Sequence, residues 1–149
     1  MPKRSAEIRS ALRDLRVQLA LLNHHVGYQL SLKDVELDCL DVLARDGALT
    51  PSVLARRAGI HPATMTGILD RLERGGWIVR DRDQADRRRV TVSVVKERAA
   101  EVYQLYRGMN GAVDRICAGY SEDELDVIAG FLRRCAEAGE TSTEKLAAH

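Results

Sequence analysis

Apolar residues recur with a helical period at both ends of the chain. In the first segment, roughly from Ser5 to Val26, they step by four and three residues, at Ile8, Leu12, Leu15, Leu19, Leu22 and Val26. The same stepping recurs near the other end, at Val102, Tyr106, Met109, Val113, Ile116 and Tyr120. These patterns predict long amphipathic helices. Each apolar stripe then needs another surface to cover it.

A further helix is expected after residue 121. The segment Ser121-Glu122-Asp123-Glu124 has the residue types of a capping box, in which a serine and a glutamate three positions later satisfy each other's backbone amides. Apolar residues then follow at helical spacing, at Leu125, Ile128, Leu132 and Cys135. Both ends of the chain therefore supply long helices.

Shorter helices are predicted in the middle of the chain. The segment Ser31-Leu32-Lys33-Asp34 is expected to start one of them. Thr50-Pro51 and His61-Pro62 each place a cap before a proline at the first helical position. Gly59 and Gly75-Gly76 end the two helices that follow. Two short helices joined by a glycine-centred turn predict a helix-turn-helix.

The periodicity changes after these helices. The runs Trp77-Ile78-Val79-Arg80 and Val90-Thr91-Val92-Ser93-Val94 cluster β-branched residues and are separated by a polar, arginine-rich stretch. They predict a β-hairpin with a charged tip. A helix-turn-helix followed by such a hairpin is a winged helix, so the expected fold is mainly α with a small β-hairpin wing.

Composition agrees with one mostly helical domain. The chain has 149 residues, of which 45% are hydrophobic and only 4% aromatic. It lacks the run of about 18 apolar residues that a membrane span needs, and its first residues lack the apolar core of a secretory signal. Three cysteines at wide spacing indicate a reducing compartment. The expectation is a soluble, cytoplasmic protein without contact to a membrane.

Charge is distributed unevenly although the net charge is only +1. Nine arginines and five acidic residues lie between Arg56 and Arg89. A basic middle between acidic ends is typical of a surface that binds a polyanion. A solvated surface that is merely rich in arginine explains the same pattern equally well.

The helix that begins at Pro62 has the side chains that close approach to base edges requires. Small and hydroxyl-bearing residues at its start let the backbone approach the major groove, and its terminal amides favour an anion. Its exposed side is expected to carry Ala63, Thr64, Thr66, Gly67, Asp70, Arg71 and Arg74. Alternatively, Thr64 only caps the turn, and Arg71 pairs with an acid such as Asp70 or Glu73.

The hairpin tip concentrates guanidinium groups on a protruding element, which suits a narrow minor groove. Because neighbours on a strand point to opposite sides, one or two of Arg87, Arg88 and Arg89 are expected to touch DNA. Asp83 or Asp86 is expected to accept a hydrogen bond from an arginine and to fix its fork.

Several segments together resemble the MarR family of transcriptional regulators. They are Thr50-Pro51-Ser52-Val53-Leu54-Ala55, Ile60-His61-Pro62-Ala63-Thr64-Met65-Thr66, Leu69-Asp70-Arg71-Leu72-Glu73-Arg74-Gly75-Gly76 and Asp86-Arg87-Arg88-Arg89. The resemblance implies a homodimeric regulator, expected to be a repressor, that binds a pseudo-palindromic double-stranded DNA operator. Gly67 departs from the family pattern, in which a long polar or basic residue is frequent.

The resemblance also implies roles for individual residues and segments. The helix from Pro62 would contact the major groove and the wing the minor groove, through Pro62, Ala63, Thr64, Thr66, Arg71, Arg87 and Arg88. Within a single domain of residues 1–149, residues 31–95 would form the winged-helix DNA-binding lobe. Residues 5–28 and 98–145 would form the helical dimerisation region.

A small-molecule effector, phenolic or otherwise anionic, is a further possibility that the resemblance raises. His24, His25 and Tyr28 lie where it places a crevice, and they are the candidate ligand pocket. The alternative is one solvated histidine and one packed at the dimer interface. A metal site from these histidines with Glu36, Asp38 and Cys39 is disfavoured, because adjacent histidines on a helix point about 100° apart.

Other functional classes have less support. Cys39, Cys117 and Cys135 adjoin apolar stripes, so buried structural cysteine is expected rather than a redox switch. Neither a nucleophile elbow nor a phosphate-binding glycine loop occurs in the sequence, and no catalytic residue, cofactor or enzyme activity is predicted. A winged helix that binds only protein is the alternative function. Such a module would more often expose apolar anchors than a basic tip.

Overall fold

The computed structural model describes residues 2–148, which form six helices and one two-stranded antiparallel sheet. It confirms the predicted fold class of a mainly helical chain with a β-hairpin wing. In chain order the elements are α1 (Pro2–Gln29), α2 (Asp34–Asp46), α3 (Pro51–Ala58), α4 (Pro62–Arg74), β1 (Ile78–Arg82), β2 (Val90–Val94), α5 (Lys96–Cys117) and α6 (Glu122–Ala147).

The helix-turn-helix begins and ends at the predicted residues. The hydroxyl of Thr50 accepts a hydrogen bond from the Val53 amide at the start of α3. Gly59 ends α3 in the left-handed conformation, at φ +68°, where a Cβ atom is unfavourable. Proline occupies the first position of both α3 and α4. These local signals fix the length of each helix.

The start of α2 differs from the prediction in which residue caps it. Lys33, not Ser31, is the residue before the helix, and its amide donates to Oε2 of Glu36 at 3.0 Å. Ser31 instead has a positive φ of 56° in the turn after α1. Gly47 ends α2, with its amide donating to the carbonyl of Leu43.

The wing pairs β1 with β2 from Ile78↔Val94 to Arg82↔Val90. Compared with the prediction, β1 begins one residue later and extends to Arg82, so Trp77 precedes the strand. A bridge between Leu49 and Val92 fastens β2 at the level of the segment between α2 and α3. The base of the wing is therefore tied to the helical part of the lobe.

The hydrophobic core lies inside the winged helix. Its most deeply buried side chains are Leu37, Leu43, Leu54, Ile68, Leu72, Ile78 and Val92. They come from α2, α3, α4 and both strands, so each element of the helix-turn-helix contributes its apolar face. The apolar residues of α4 that face the core are all buried: Met65, Ile68, Leu69 and Leu72.

The long terminal helices contribute little to this core. In α1 only Val26 and Gly27 are buried, and neither α5 nor α6 contains a buried residue. The predicted capping box of α6 is present, with the Ser121 hydroxyl and the Glu124 carboxylate bonding each other's amides. Helix α5 ends at Cys117, so Tyr120, the last residue of the predicted stripe, lies beyond the helix.

The chain divides into two compact units, one ending at Tyr106 and the other beginning at Arg107. The first contains the winged helix with α1 and the start of α5. The second contains the rest of α5 together with α6. Within residues 2–148, none of the helices combines the length and hydropathy that crossing a membrane requires.

Candidate nucleic-acid interface

The N-terminal half of α4 presents small side chains to solvent. Pro62, Ala63, Thr64 and Thr66 are exposed, and so is Gly67. The residues that alternate with them at helical spacing point into the core, which anchors the helix and fixes which side faces outward. The exposed side of this half of α4 therefore carries only small side chains, which allows the helix backbone to approach the floor of a DNA groove.

His61 caps α4. Its Nδ1 atom accepts a hydrogen bond from the Ala63 amide at 3.1 Å, and its carbonyl accepts from the Thr64 amide at 2.9 Å. The alternative role considered for Thr64, a cap of this turn, is thus filled by His61. The Thr64 side chain lies on the exposed surface.

Arg71 is held by a carboxylate from α2. Its Nε atom lies 2.6 Å from Oε1 of Glu36. The Glu36 side chain is 5% exposed, whereas that of Arg71 is 43% exposed. Arg71 therefore pairs with an acid, as the alternative interpretation held, but the partner is Glu36 and not Asp70 or Glu73. Those two acids contact Arg80 of β1 instead.

The wing tip carries its arginines on an ordered turn. Residues 83–89, which connect the two strands, are all exposed. The Asp83 amide donates to the carbonyl of Arg89 at 2.9 Å and closes the tip. Oδ1 of Asp83 accepts from the Ala85 amide, and Oδ1 of Asp86 accepts from the Arg88 amide. The expectation that these aspartates bind a guanidinium is therefore wrong, because each carboxylate bonds a backbone amide two residues further on.

Two charged positions of the candidate interface were not predicted from the sequence. Glu36 is the buried charged residue that restrains Arg71, and Arg80 links the wing to α4. Glu36 lies between the apolar residues Val35 and Leu37, where a charge at the start of a predicted helix signals either a cap or an ion pair. In β1, alternation with Ile78 places Arg80 on the inward side. An arginine that points inward needs an anion nearby, so the sequence did indicate that Arg80 forms an ion pair, although not with which acid.

A cavity of about 230 Å³ lies between α2, the wing and the start of α5. Its walls are mainly apolar and aromatic, and include Leu40, Trp77, Val102 and Tyr106. The Tyr106 hydroxyl donates to Oδ1 of Asn23 at 2.6 Å. Burial, with the nearby carboxylates of Asp41 and then Asp38, raises the pKa of Tyr106 to about 12. This phenol therefore stays protonated at neutral pH.

The three residues of the candidate ligand pocket lie outside this cavity. Nδ1 of His24 lies 3.1 Å from Oδ1 of Asp34, and both side chains are largely exposed. The rings of His24 and His25 meet edge to face at 5.9 Å, and Tyr28 is 81% exposed. A ligand pocket formed by these three residues stays a prediction.

The cysteines differ in their surroundings. Cys39 is fully buried in the core. Burial, followed by the charges of Asp38 and Glu36, raises the pKa of its thiol to about 11. Cys117 and Cys135 are partly exposed. Across the described part of the chain, no group of three or more histidine, cysteine or acidic side chains is placed to hold a metal ion.

Comparison with known proteins identifies relatives of this chain. The profile of the MarR family matches residues 32–90, from the end of the α1–α2 turn to the start of β2. The HTH-type transcriptional regulator ML2140 of Mycobacterium leprae is 33% identical, over 83% of this chain and 84% of its own length. The regulator YcgE of Bacillus subtilis is 28% identical, over 90% and 87%. The repressor YetL of the same organism is 28% identical, over 86% and 78%.

Solved structures show the same architecture. A MarR family protein from Bacillus stearothermophilus superposes with a TM-score of 0.73 at 19% identity, over 94% of this chain and 98% of that one. NadR in complex with 4-hydroxyphenylacetate superposes with a TM-score of 0.65 at 26% identity, over 87% and 92%. The relatives in sequence are named as transcriptional regulators. The chain belongs to the MarR family of winged-helix transcriptional regulators.

Proposed function

We propose that this regulator is a repressor that binds a pseudo-palindromic DNA operator as a homodimer, with α4 in the major groove and the wing in the minor groove. The observation that carries the proposal is the pairing of two exposed surfaces on one lobe. One is the small-residue start of α4, from Pro62 to Thr66, and the other is the arginine-bearing wing tip. Small residues allow close approach to base edges, and guanidinium groups favour the negative potential of a narrow minor groove.

The exposed residues of α4 make different kinds of contact with DNA. Thr64 and Thr66 supply hydroxyls for bases or phosphates, while Pro62 and Ala63 keep the approach open. Arg71 donates its Nε–H to Glu36, so its guanidinium is oriented before DNA arrives. Its two terminal nitrogens, on a side chain that is 43% exposed, then contact a phosphate.

In the wing, Arg87 and Arg88 enter the minor groove. Their backbone is fixed by the Asp86 carboxylate, which accepts from the Arg88 amide at 3.0 Å. An ordered turn reduces the conformational entropy that the tip loses on binding.

The terminal helices supply the proposed dimer interface. Their exposed apolar side chains include Leu15, Leu19, Ile116, Phe131 and Leu132. Stripes of this kind are costly to leave in water. A second copy of the same chain covers them across residues 5–28 and 98–145 and places two α4 helices on one face. Replacing Leu15 and Leu19 by glutamate is expected to yield monomers in sedimentation.

We also propose that a small molecule releases the protein from DNA. The 230 Å³ cavity beside α2 and α5 has aromatic walls and supports this proposal. NadR, a neighbour in fold, was crystallised with 4-hydroxyphenylacetate. A phenolic acid of this class is therefore the first effector to test.

The decisive test is DNA binding at two salt concentrations. A duplex recovered by the wild-type protein from a random-sequence pool is titrated beside an unrelated duplex. Tight, specific binding that falls steeply with salt is expected, because phosphate contacts release counterions. Arg87→Ala and Arg88→Ala should each weaken it without unfolding the protein, and unchanged affinity in both would overturn the wing assignment. Failure to recover any preferred duplex would favour a protein-binding winged helix instead. 4-Hydroxyphenylacetate is then added to the complex to test release.

A further inference from the structure

Arg80 occupies an unusual position for a charged residue. On β1, Ile78 is buried and Val79 is 44% exposed, so strand alternation turns Arg80 to the same side as Ile78. This side faces α4, and the Arg80 side chain is only 27% exposed. An arginine that is largely withdrawn from water requires compensating anions.

Two carboxylates of α4 provide the compensation. Nη2 of Arg80 lies 2.5 Å from Oδ1 of Asp70, and its Nε lies 3.6 Å from Oε2 of Glu73. Asp70 and Glu73 are three residues apart and therefore share one face of the helix. That Nε atom is shielded from water and makes no hydrogen bond within the described residues. The guanidinium therefore depends on these two acids.

The contact of Arg80 with Asp70 and Glu73 lies at the base of the wing, so a small rotation there moves the tip by a larger distance. Arg80 pairs with Val92, which the bridge to Leu49 fastens to the lobe. The tip that follows carries Arg87 and Arg88 and, among residues 2–148, forms no such bridge. At about 3.3 Å per strand residue the tip lies roughly 15 Å beyond Arg80, so a tilt of about 10° displaces it by about 3 Å. A shift of that size is enough to break a hydrogen bond.

We propose that Arg80 is a positioning residue for DNA binding: it clamps the wing to α4 through Asp70 and Glu73 and so sets where Arg87 and Arg88 meet the minor groove. The inference rests on the proposed function, since it assigns Arg80 a role in the same interface. Arg80 acts through the wing and does not itself contact DNA.

The test compares the DNA affinity of a protein that has Arg87 and Arg88 with that of the same protein carrying Arg87→Ala and Arg88→Ala. The ratio of these two affinities is called the wing contribution. The probe is the duplex that the wild-type protein selects from a random pool. Arg80→Gln is expected to lower the wing contribution by about fivefold, the equivalent of one well-formed ion pair. Arg80→Lys should restore part of it. Because general charge effects act on both affinities, they cancel in the ratio.

A second variant removes the clamp from its other side. Asp70→Asn with Glu73→Gln keeps Arg80 and should lower the wing contribution as well, although it deletes two negative charges beside the DNA. It also serves if Arg80→Gln fails to fold. The matched control is Arg82→Gln, which removes one positive charge from the same strand and should leave the wing contribution unchanged. An undiminished wing contribution in the clamp variants overturns the proposal.

Hydrogen exchange of the free protein separates this inference from the proposed function. Arg80→Gln should accelerate exchange of the amides in β1 and the wing tip, whereas Arg82→Gln should not. If the wild-type protein selects no duplex, the proposed function fails. The exchange measurement then still tests whether Arg80 holds the wing against α4. Unchanged exchange in the clamp variants then overturns it.

Discussion

Oε1 of Glu36 accepts a hydrogen bond from Nε of Arg71 at 2.6 Å and thereby joins the start of α2 to α4. Its other oxygen accepts from the Lys33 amide. One buried carboxylate thus closes the first turn of α2 and orients an arginine on the face proposed to bind DNA. A buried charge with both oxygens satisfied is tolerated, whereas loss of either partner is costly.

Removing the arginine should destabilise the fold. Arg71→Ala leaves the carboxylate of Glu36 buried with one partner fewer, and we expect the free energy of unfolding to fall by about 2 kcal/mol. In a Glu36→Gln background the same change should cost less, because no buried charge remains. Urea denaturation of the four proteins measures the difference. Arg74→Ala is the matched control, since within the described residues the hydrogen bond of this exposed arginine goes to the Asp70 carbonyl of the same helix and not to a buried carboxylate. Equal costs in both backgrounds would contradict the coupling.

Gly67 should affect stability and DNA binding in opposite directions. An added Cβ atom at Gly67 would meet Nη1 of Arg71 at 3.9 Å, which is an ordinary van der Waals contact with a flexible side chain. Gly67→Ala therefore fits and should stabilise α4 by up to about 1 kcal/mol. On the proposed DNA face the extra methyl group should hinder close approach and cost about 1 kcal/mol of binding, on the scale of a base contact.

The control for this substitution is Gly139→Ala. Gly139 is exposed in α6 and has open space around it, so the substitution should give a similar gain in thermal stability without a change in DNA affinity. If Gly67→Ala were stabilising and also bound DNA as tightly as the wild type, the close approach assigned to this residue would be wrong.

The helix boundaries of the lobe were predictable because their signals are local. The cap at Thr50, the prolines at Pro51 and Pro62, and the left-handed Gly59 each act within a few residues of where they stand. The hydrogen bonds of Asp83 and Asp86 in the wing are also local, because each joins residues that are two positions apart. Their bonding to amides two residues away was open to prediction, since aspartate commonly does this in turns.

The ion pairs were not predictable because they join segments distant in sequence. Arg71 meets Glu36, which lies 35 residues earlier, although two acids stand within two positions of it. On a helix, neighbouring residues point about 100° apart, so Asp70 and Glu73 face the wing while Arg71 faces α2. Only the placement of β1 and α2 around α4 decides which acid each arginine meets.

Cys39 should be the least reactive of the three cysteines. It is fully buried, and its thiol has a pKa of about 11, so the nucleophilic thiolate is scarce at neutral pH. Iodoacetamide followed by mass spectrometry should label Cys39 only as urea unfolds the protein, and more slowly than Cys117 and Cys135, which are partly exposed in the single chain. Labelling of Cys39 at the rate of the other two would contradict its burial. It would also reopen the possibility of a redox switch.

Stability at acidic pH should depend on Asp46, the last residue of α2. Hydrogen bonds from Arg45 and Arg57 lower the pKa of Asp46 from 3.8 to about 2. Because the folded protein holds this carboxylate ionised more strongly than the unfolded chain does, its stabilisation is complete above pH 4 and is lost as the pH falls toward about 2. Asp46→Asn should therefore lower the melting temperature at pH 6, and its melting temperature should converge with that of the wild type near pH 2.

The control keeps the carboxylate and removes one of its partners. Arg57→Gln, which removes the 2.8 Å contact with Oδ2 of Asp46, should weaken this pH dependence. A constant difference between Asp46→Asn and the wild type across this range would show that Arg45 and Arg57 do not lower the pKa of Asp46 in the folded protein.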